Sequence, residues 1–180
     1  MKGSFLPIET PRLLIRGLEP GDVAALVALW TDPEVTRHMG GPRDPAKVRE
    51  ALDQELRAGA ADPFALHPVV ERSSGHVIGD CGLLRKDVEG RSEVEVVYVF
   101  AARVWGKGYA TEAAAAVRDA AVRRLGIRRL IALIEPGNAA SARVAEKIEM
   151  RLERSTMRPD GSMRLIYSLE IPERDVPTRS

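Results

Sequence analysis

Cysteine is almost missing from this chain: Cys81 is the single thiol among 180 residues. It cannot close an intramolecular disulfide, and no CxxC or similar ligand spacing surrounds it, which excludes a disulfide scaffold and a zinc module. Net charge is nearly missing too. The 27 basic and 26 acidic side chains leave only +1, too little for the whole-molecule field behind non-specific nucleic-acid binding, so no nucleic-acid partner is expected. No run of about 18 apolar residues occurs, and the opening MKGSFLPIETPRLLIR turns polar too early for a secretory signal. A soluble, cytoplasmic protein without a membrane partner is expected. The three histidines, His38, His67 and His76, lack a nucleophile or carboxylate at recognisable spacing and read as structural or exposed. Cys81, inside a β pattern, reads as a small buried apolar residue, and no metal site is expected.

What remains is a chain of one ordinary domain's length, 44% hydrophobic and able to bury a core without staples. We expect a single domain over 1–170 and a frayed tail over 171–180. Arg12 to Ile15 reads as a strand. Val23, Leu26, Val27 and Trp30 share one helical face, closed by Asp32-Pro33. A second helix runs from Asp44-Pro45 to Gly59, with the aspartate as cap. Three strands follow, over Phe64–Glu71, Val77–Leu84 and Val94–Phe100, as an antiparallel meander. Pro68 predicts an edge, a bulge or a truncation in the first of them. A helix then runs from Gly108 to about Leu125 and stops at Gly126, and Arg128 to Ile134 is a strand. Asn138 to about Glu149 is a helix, and Leu152–Met157 with Met163–Glu170 form a hairpin. The fold class is therefore a mixed α/β layer structure.

The stretch Ala101-Ala-Arg-Val-Trp-Gly-Lys-Gly-Tyr-Ala-Thr-Glu112 lies between a strand and a long helix. Gly106 and Gly108 permit a tight turn and leave amide N–H groups open, and a helix start adds unpaired N–H groups and a positive dipole end. An anion, above all a pyrophosphate, suits such a place. The P-loop template fails, because residue 101 is Ala and Lys107 precedes Gly. The dinucleotide fingerprint fails at Thr111.

The loop resembles the acyl-CoA loop of the GNAT superfamily of N-acetyltransferases, whose Gln/Arg-x-x-Gly-x-Gly/Ala pattern falls on Trp105-Gly-Lys-Gly108-Tyr-Ala110. Trp105 stands where the family has Gln or Arg. The run to Ala113 is similar to the branch that acetylates ribosomal-protein N-termini and related amines. The similarity extends to Glu9–Arg16, Thr31–Val35, Val77–Leu83 and Asn138–Lys147. It implies a largely antiparallel central sheet flanked by helices, with two neighbouring strands splayed. It further implies acetyl-CoA as donor, with Trp105, Gly106, Lys107, Gly108, Tyr109, Ala110 and Thr111 at the pyrophosphate. The strand edge of Tyr98, Val99 and Phe100 would lie along the pantetheine arm. The acceptor implied is a primary amine, either a protein N-terminus or a small molecule. Monomer and homodimer both stay open.

Asn138 reads as a helix N-cap from its position, and the resemblance places it beside the pantetheine. Ser141 lies on the inward stripe with Val144, Ala145 and Ile148. It either back-bonds to the preceding turn or, by the resemblance, hydrogen-bonds the departing thiolate, a task many relatives give to a tyrosine in this helix; Tyr98 and Tyr167 are reserves. Glu93 and Glu95 alternate onto one strand face about 7 Å apart. Both suit a solvated face, and the resemblance favours Glu95 as the group that relays the amine proton. Arg118, Arg123, Arg124, Arg128 and Arg129 read as a solvated basic face. Ile148-Glu149-Met150 replaces the family's Leu-Gly-Phe. That change, with the missing tyrosine, keeps a non-catalytic acyl-CoA sensor as the rival reading, and nucleotide binding through the same loop as a third.

Overall fold

The computed structural model describes residues 5–59 and 62–172. Eight strands form one sheet: β1 (Ile8–Glu9), β2 (Leu13–Ile15), β3 (Leu66–Glu71), β4 (Val77–Val88), β5 (Arg91–Phe100), β6 (Arg129–Ile134), β7 (Arg151–Met157) and β8 (Met163–Glu170). Their order is β1-β2-β3-β4-β5-β6-β8-β7, and every pairing is antiparallel except β5 with β6. The helices are α1 (Val23–Thr31), α2 (Pro33–Thr36), α3 (Pro45–Ala58), α4 (Tyr109–Ala120) and α5 (Ala139–Lys147). The expected tail falls largely at 173–180, outside the described residues.

Local chemistry explains the boundaries. The Asp44 carboxylate accepts from the amides of Ala46 and Lys47, and Gly59 closes α3 at φ 69°, conformations that Asp and Gly respectively supply at little cost. Gly126 ends the wide turn after α4 in the same way, at φ 71°. The meander is longer than expected: β4 and β5 stay in register from Gly79↔Phe100 to Val88↔Arg91. Glu89 and Gly90 take φ 54° and 80°, the two-residue turn whose twist matches a hairpin. That turn draws the polar segments 85–88 and 91–93 into the ladder although their composition lacks a strand pattern.

Pro68 lies in an internal strand, with the register shift falling beside it at Val69/Val70. The Pro68 carbonyl accepts from the Arg16 amide at 3.4 Å, but the proline has no N–H to return, and the pairing with β2 ends there. The strands β1 and the single turn α2 are additions that sequence periodicity does not reach, being two and four residues long.

Side chains of β5 alternate between two layers. Val96 and Phe100 pack with Ala113, Ala114 and Val117 of α4 and Ala145 of α5. Val99 packs on the opposite face with Leu26 and Leu29 of α1. Ala113, Ala114 and Ala120 of α4 are almost wholly buried, so their small size sets the close approach of helix to sheet.

His67 and Cys81 sit opposite each other in the ladder, both fully buried, and among the described residues neither His67 ring nitrogen has a hydrogen-bond partner. Burial pushes the His67 pKa down to about 4, so the ring is neutral in the native state. Below its ordinary value near 6.5 the unfolded chain binds a proton that the native one refuses, and stability falls as pH drops to about 4. His67→Leu is expected to lose an acid-side slope worth roughly 3 kcal/mol across that window, measured as the difference between wild-type and variant urea-unfolding free energies at pH 7 and pH 4. Parallel profiles for the two proteins would contradict this account.

Candidate active site

The parallel pair β5 and β6 shares a single bridge, Glu95↔Ile131. The Ala101 amide donates to Ile78 of β4 at 3.0 Å. By the alternation of an antiparallel ladder, the peptide groups of Val96, Tyr98 and Phe100 then face the β6 side. Beyond Val96 no strand pairs with them, and the two strands part. The splayed pair expected from the resemblance is present.

The loop at the head of this gap begins with a turn over Ala102–Val104. Gly106 and Gly108 take φ 75° and 79°, a region that side chains disfavour. A Cβ on Gly106 would meet open space, and one on Gly108 would reach 3.5 Å from Arg12 Nη2. Among the described residues no acceptor faces the main-chain N–H groups of residues 106–111. They gather at the start of α4, where the helix dipole is positive.

The loop is braced from outside. Arg12 Nη1 donates to the Lys107 carbonyl at 2.8 Å, and its guanidinium lies 4.4 Å from the Tyr109 ring centre. Glu112 in the first turn of α4 accepts from Thr10 Oγ1 at 2.6 Å, from the Arg12 amide at 3.0 Å and from Arg12 Nε at 2.6 Å. Burial opposes the charge on Glu112, yet these donors outweigh it and hold the carboxyl below its usual range. Trp105 Nε1 donates to the Phe100 carbonyl at 2.7 Å. The tryptophan that stands in place of Gln or Arg thus ties the loop to the end of β5 and occupies one of the groups facing the gap.

Tyr98 and Ser141 meet across the gap. Ser141 Oγ donates to Tyr98 Oη at 3.2 Å, and Tyr98 Oη donates to the Ser141 carbonyl at 2.9 Å. The serine therefore does not back-bond to its own helix. Burial pushes the Tyr98 hydroxyl pKa up, keeping it protonated. Asn138 is the N-cap of α5, accepting from the Ser141 amide at 3.1 Å. Tyr167 is buried on β8 opposite Ala132.

Glu93 and Glu95 separate in role. Arg129 Nε holds both oxygens of Glu93, at 3.1 and 2.9 Å, while its other nitrogens reach Glu170 and Glu153. Glu95 faces the gap: its Oε1 accepts from the Leu133 amide at 3.3 Å, the N–H that a continued β5–β6 ladder would have used. Lys86 Nζ is 3.8 Å away. Burial raises the Glu95 pKa, against the opposing pull of Lys86, the Leu133 amide, Arg158 and Arg164.

A buried carboxylate that sequence reading missed is Asp80, on the same face as Glu95. It accepts from Trp30 Nε1 at 3.0 Å, and burial pushes its pKa up to about 6; an isolated aspartate in an apolar strand gives no periodic sign of this. Of the five arginines expected to form a solvated basic face, Arg123 and Arg128 are exposed, but the other three are engaged with the protein. Arg118 bonds the Ile148 carbonyl and Glu149, Arg129 joins three glutamates, and Arg124 reaches the carbonyls of Phe5 and Pro7. Glu149 takes φ 69° where the family has glycine, and the Met150 amide still closes the helix on Ala145 at 3.0 Å, so that substitution leaves the turn intact. Cys81 is fully buried. His38 pairs with Glu135 at 3.2 Å, and His76 is exposed. No helix is long and apolar enough to cross a membrane, and no metal-ligand cluster occurs, among the described residues.

Known proteins agree with this architecture. A GNAT-family acetyltransferase of Bacillus anthracis superposes with a TM-score of 0.79 at 27% identity, over 92% of this chain and 98% of that one. The Bacillus subtilis protein YkkB is 35% identical over 149 residues, 82% of this chain and 87% of its own. A Bacillus licheniformis protein named as the N-acetyltransferase p20 is 30% identical over 178 residues, 93% of this chain and 97% of its own. The fold and these relatives make the protein an acetyltransferase. The model of the GNAT acetyltransferase domain matches residues 12–151, and the chain belongs to that family, whose enzymes depend on acetyl-CoA.

Glu112→Ala removes the acceptor shared by Thr10 and Arg12 and is expected to lower unfolding free energy by about 2 kcal/mol. Urea denaturation at neutral pH measures the loss; an unchanged midpoint would show that the brace contributes nothing.

Proposed function

We propose that the protein transfers the acetyl group of acetyl-CoA to a primary amine, with the donor's pyrophosphate on the loop from Trp105 to Thr111. The observation that carries this reading is the set of main-chain N–H groups over residues 106–111, left without acceptors at the head of the parted strands. An anion satisfies them together, and glycine at 106 and 108 leaves the room it needs. The pantetheine arm then runs down the gap beside Asn138, pairing with the free peptide groups of β5 at Tyr98 and with the Phe100 N–H. Val99 contributes as the spacer whose own peptide group faces β4.

The amine attacks the thioester carbon directly. Its nitrogen forms the new bond, the carbon–sulfur bond breaks, and the electron pair leaves on sulfur. The attacking amine must be the free base, which an α-amino group, at about pKa 8, reaches more readily than a lysine at about 10.4. Glu95 takes the amine proton through a water, and its raised pKa suits it to that task near neutrality. Ser141 supplies a hydrogen bond to the departing thiolate by turning its hydroxyl away from Tyr98. Alternation along β5 supports this division, because Glu95 and Tyr98 lie on opposite faces of the strand and flank the gap from two sides.

Two expectations test the reading. Gly108→Trp fills the space the phosphates need and should abolish coenzyme A binding by calorimetry while the protein still melts cooperatively; wild-type affinity would remove the loop from the site. Glu95→Gln and Ser141→Ala should each lower kcat more than donor affinity, by about 100-fold or more for the glutamate. Wild-type activity falls as pH drops through the raised Glu95 pKa, because the base works ionised, and that acid limb disappears in Glu95→Gln. A limb that survives the substitution assigns the proton to another group.

A further inference from the structure

Arg164 of β8 is only 7% exposed. It stands two residues before Ile166, the partner of Leu133, and therefore shares the sheet face that carries Glu95. A guanidinium has five N–H donors. Here one is used, Nη1 to the Met163 carbonyl at 2.8 Å, and no carboxylate lies within 4.0 Å of it among the described residues. Arginines that are less buried are paired: Arg16 has Asp22 at 2.7 Å, and Arg129 has three glutamates. Keeping a cation out of water without a counter-charge is unfavourable, which marks a place where a bound anion completes the structure.

A second observation points the same way. The Glu95 carboxylate feels three positive side chains from separate elements: Lys86 of β4, Arg158 of the β7–β8 turn, and Arg164. The same turn offers one acid, the exposed Asp160, whose carboxylate already accepts from the Ser162 amide at 2.8 Å. Positive side chains from β4, β8 and the turn between β7 and β8 thus converge on the face of the sheet where Glu95 meets the gap.

We infer that the acetyl acceptor is a small primary amine carrying a carboxylate, and that Arg164 binds this carboxylate while the amine approaches Glu95. The inference rests on the acetyl-transfer reading above. A planar guanidinium fork matches a carboxylate with two parallel hydrogen bonds. Lys86 stays with Glu95 and positions it.

The test measures thiol release from acetyl-CoA by the full chain with amino acids of increasing amine-to-carboxylate spacing, with their carboxamides, with putrescine and with O-phosphoethanolamine. At least one carboxylated amine should exceed its own carboxamide in kcat/KM by about 10- to 100-fold. Arg164→Gln should bring that ratio toward one, and Arg164→Lys, which keeps charge in a similar volume, should restore part of it; a cooperative melt shows that each variant is folded. Carboxamides, putrescine or the phosphorylated amine used as well as the carboxylates overturn the inference and leave acetyl transfer standing. A ratio unmoved by Arg164→Gln overturns it too. Absence of thiol release with every amine, together with failure to bind coenzyme A, sinks the underlying transferase reading instead.

Discussion

The parting of β5 from β6 is the constraint on which the site depends. A parallel pair held by one bridge leaves peptide N–H and C=O groups without strand partners in the middle of a sheet, a costly arrangement unless other groups satisfy them. The chain meets that need in three ways. Glu95 takes the Leu133 amide, Trp105 takes the Phe100 carbonyl, and the Tyr98–Ser141 pair spans the opening. What remains unsatisfied is the part of the edge that a ligand can use.

Strand alternation turns this opening into a site with two different sides. Glu95 points to the layer of α1 and α3 with Asp80 and Arg164, while Tyr98 points to the layer of α4 and α5 and meets Ser141. A thioester in the gap would thus have carboxylates and cations on one side and hydroxyls on the other. The asymmetry follows from the two-residue side-chain period of a strand and needs no special loop.

The loop above the gap is braced for a separate reason. Residues 106–111 donate to nothing among the described residues, so their geometry has to be imposed by neighbours, and Arg12 and Glu112 impose it from the start of β2 and the first turn of α4.

Much of this was legible in the residue order alone. Periodicity and caps located α1, α3, α4 and α5, the meander and the final hairpin, because each is signalled by residues close together in sequence: Asp44 and Gly59 around α3, Gly126 after α4, Pro159-Asp160-Gly161 in the hairpin. The glycine loop and its placement before a helix were equally local. Tertiary structure alone decided which of two similar glutamates is free, since Glu93 is captured by Arg129 from a neighbouring strand while Glu95 meets the parted edge. It also decided that Ser141 faces Tyr98, 43 residues away, and that Arg164 is buried with no carboxylate within 4.0 Å among the described residues. Such facts depend on charges and edges brought together across the sheet, and the energy of a charge is set by its surroundings, which no local pattern of residues contains.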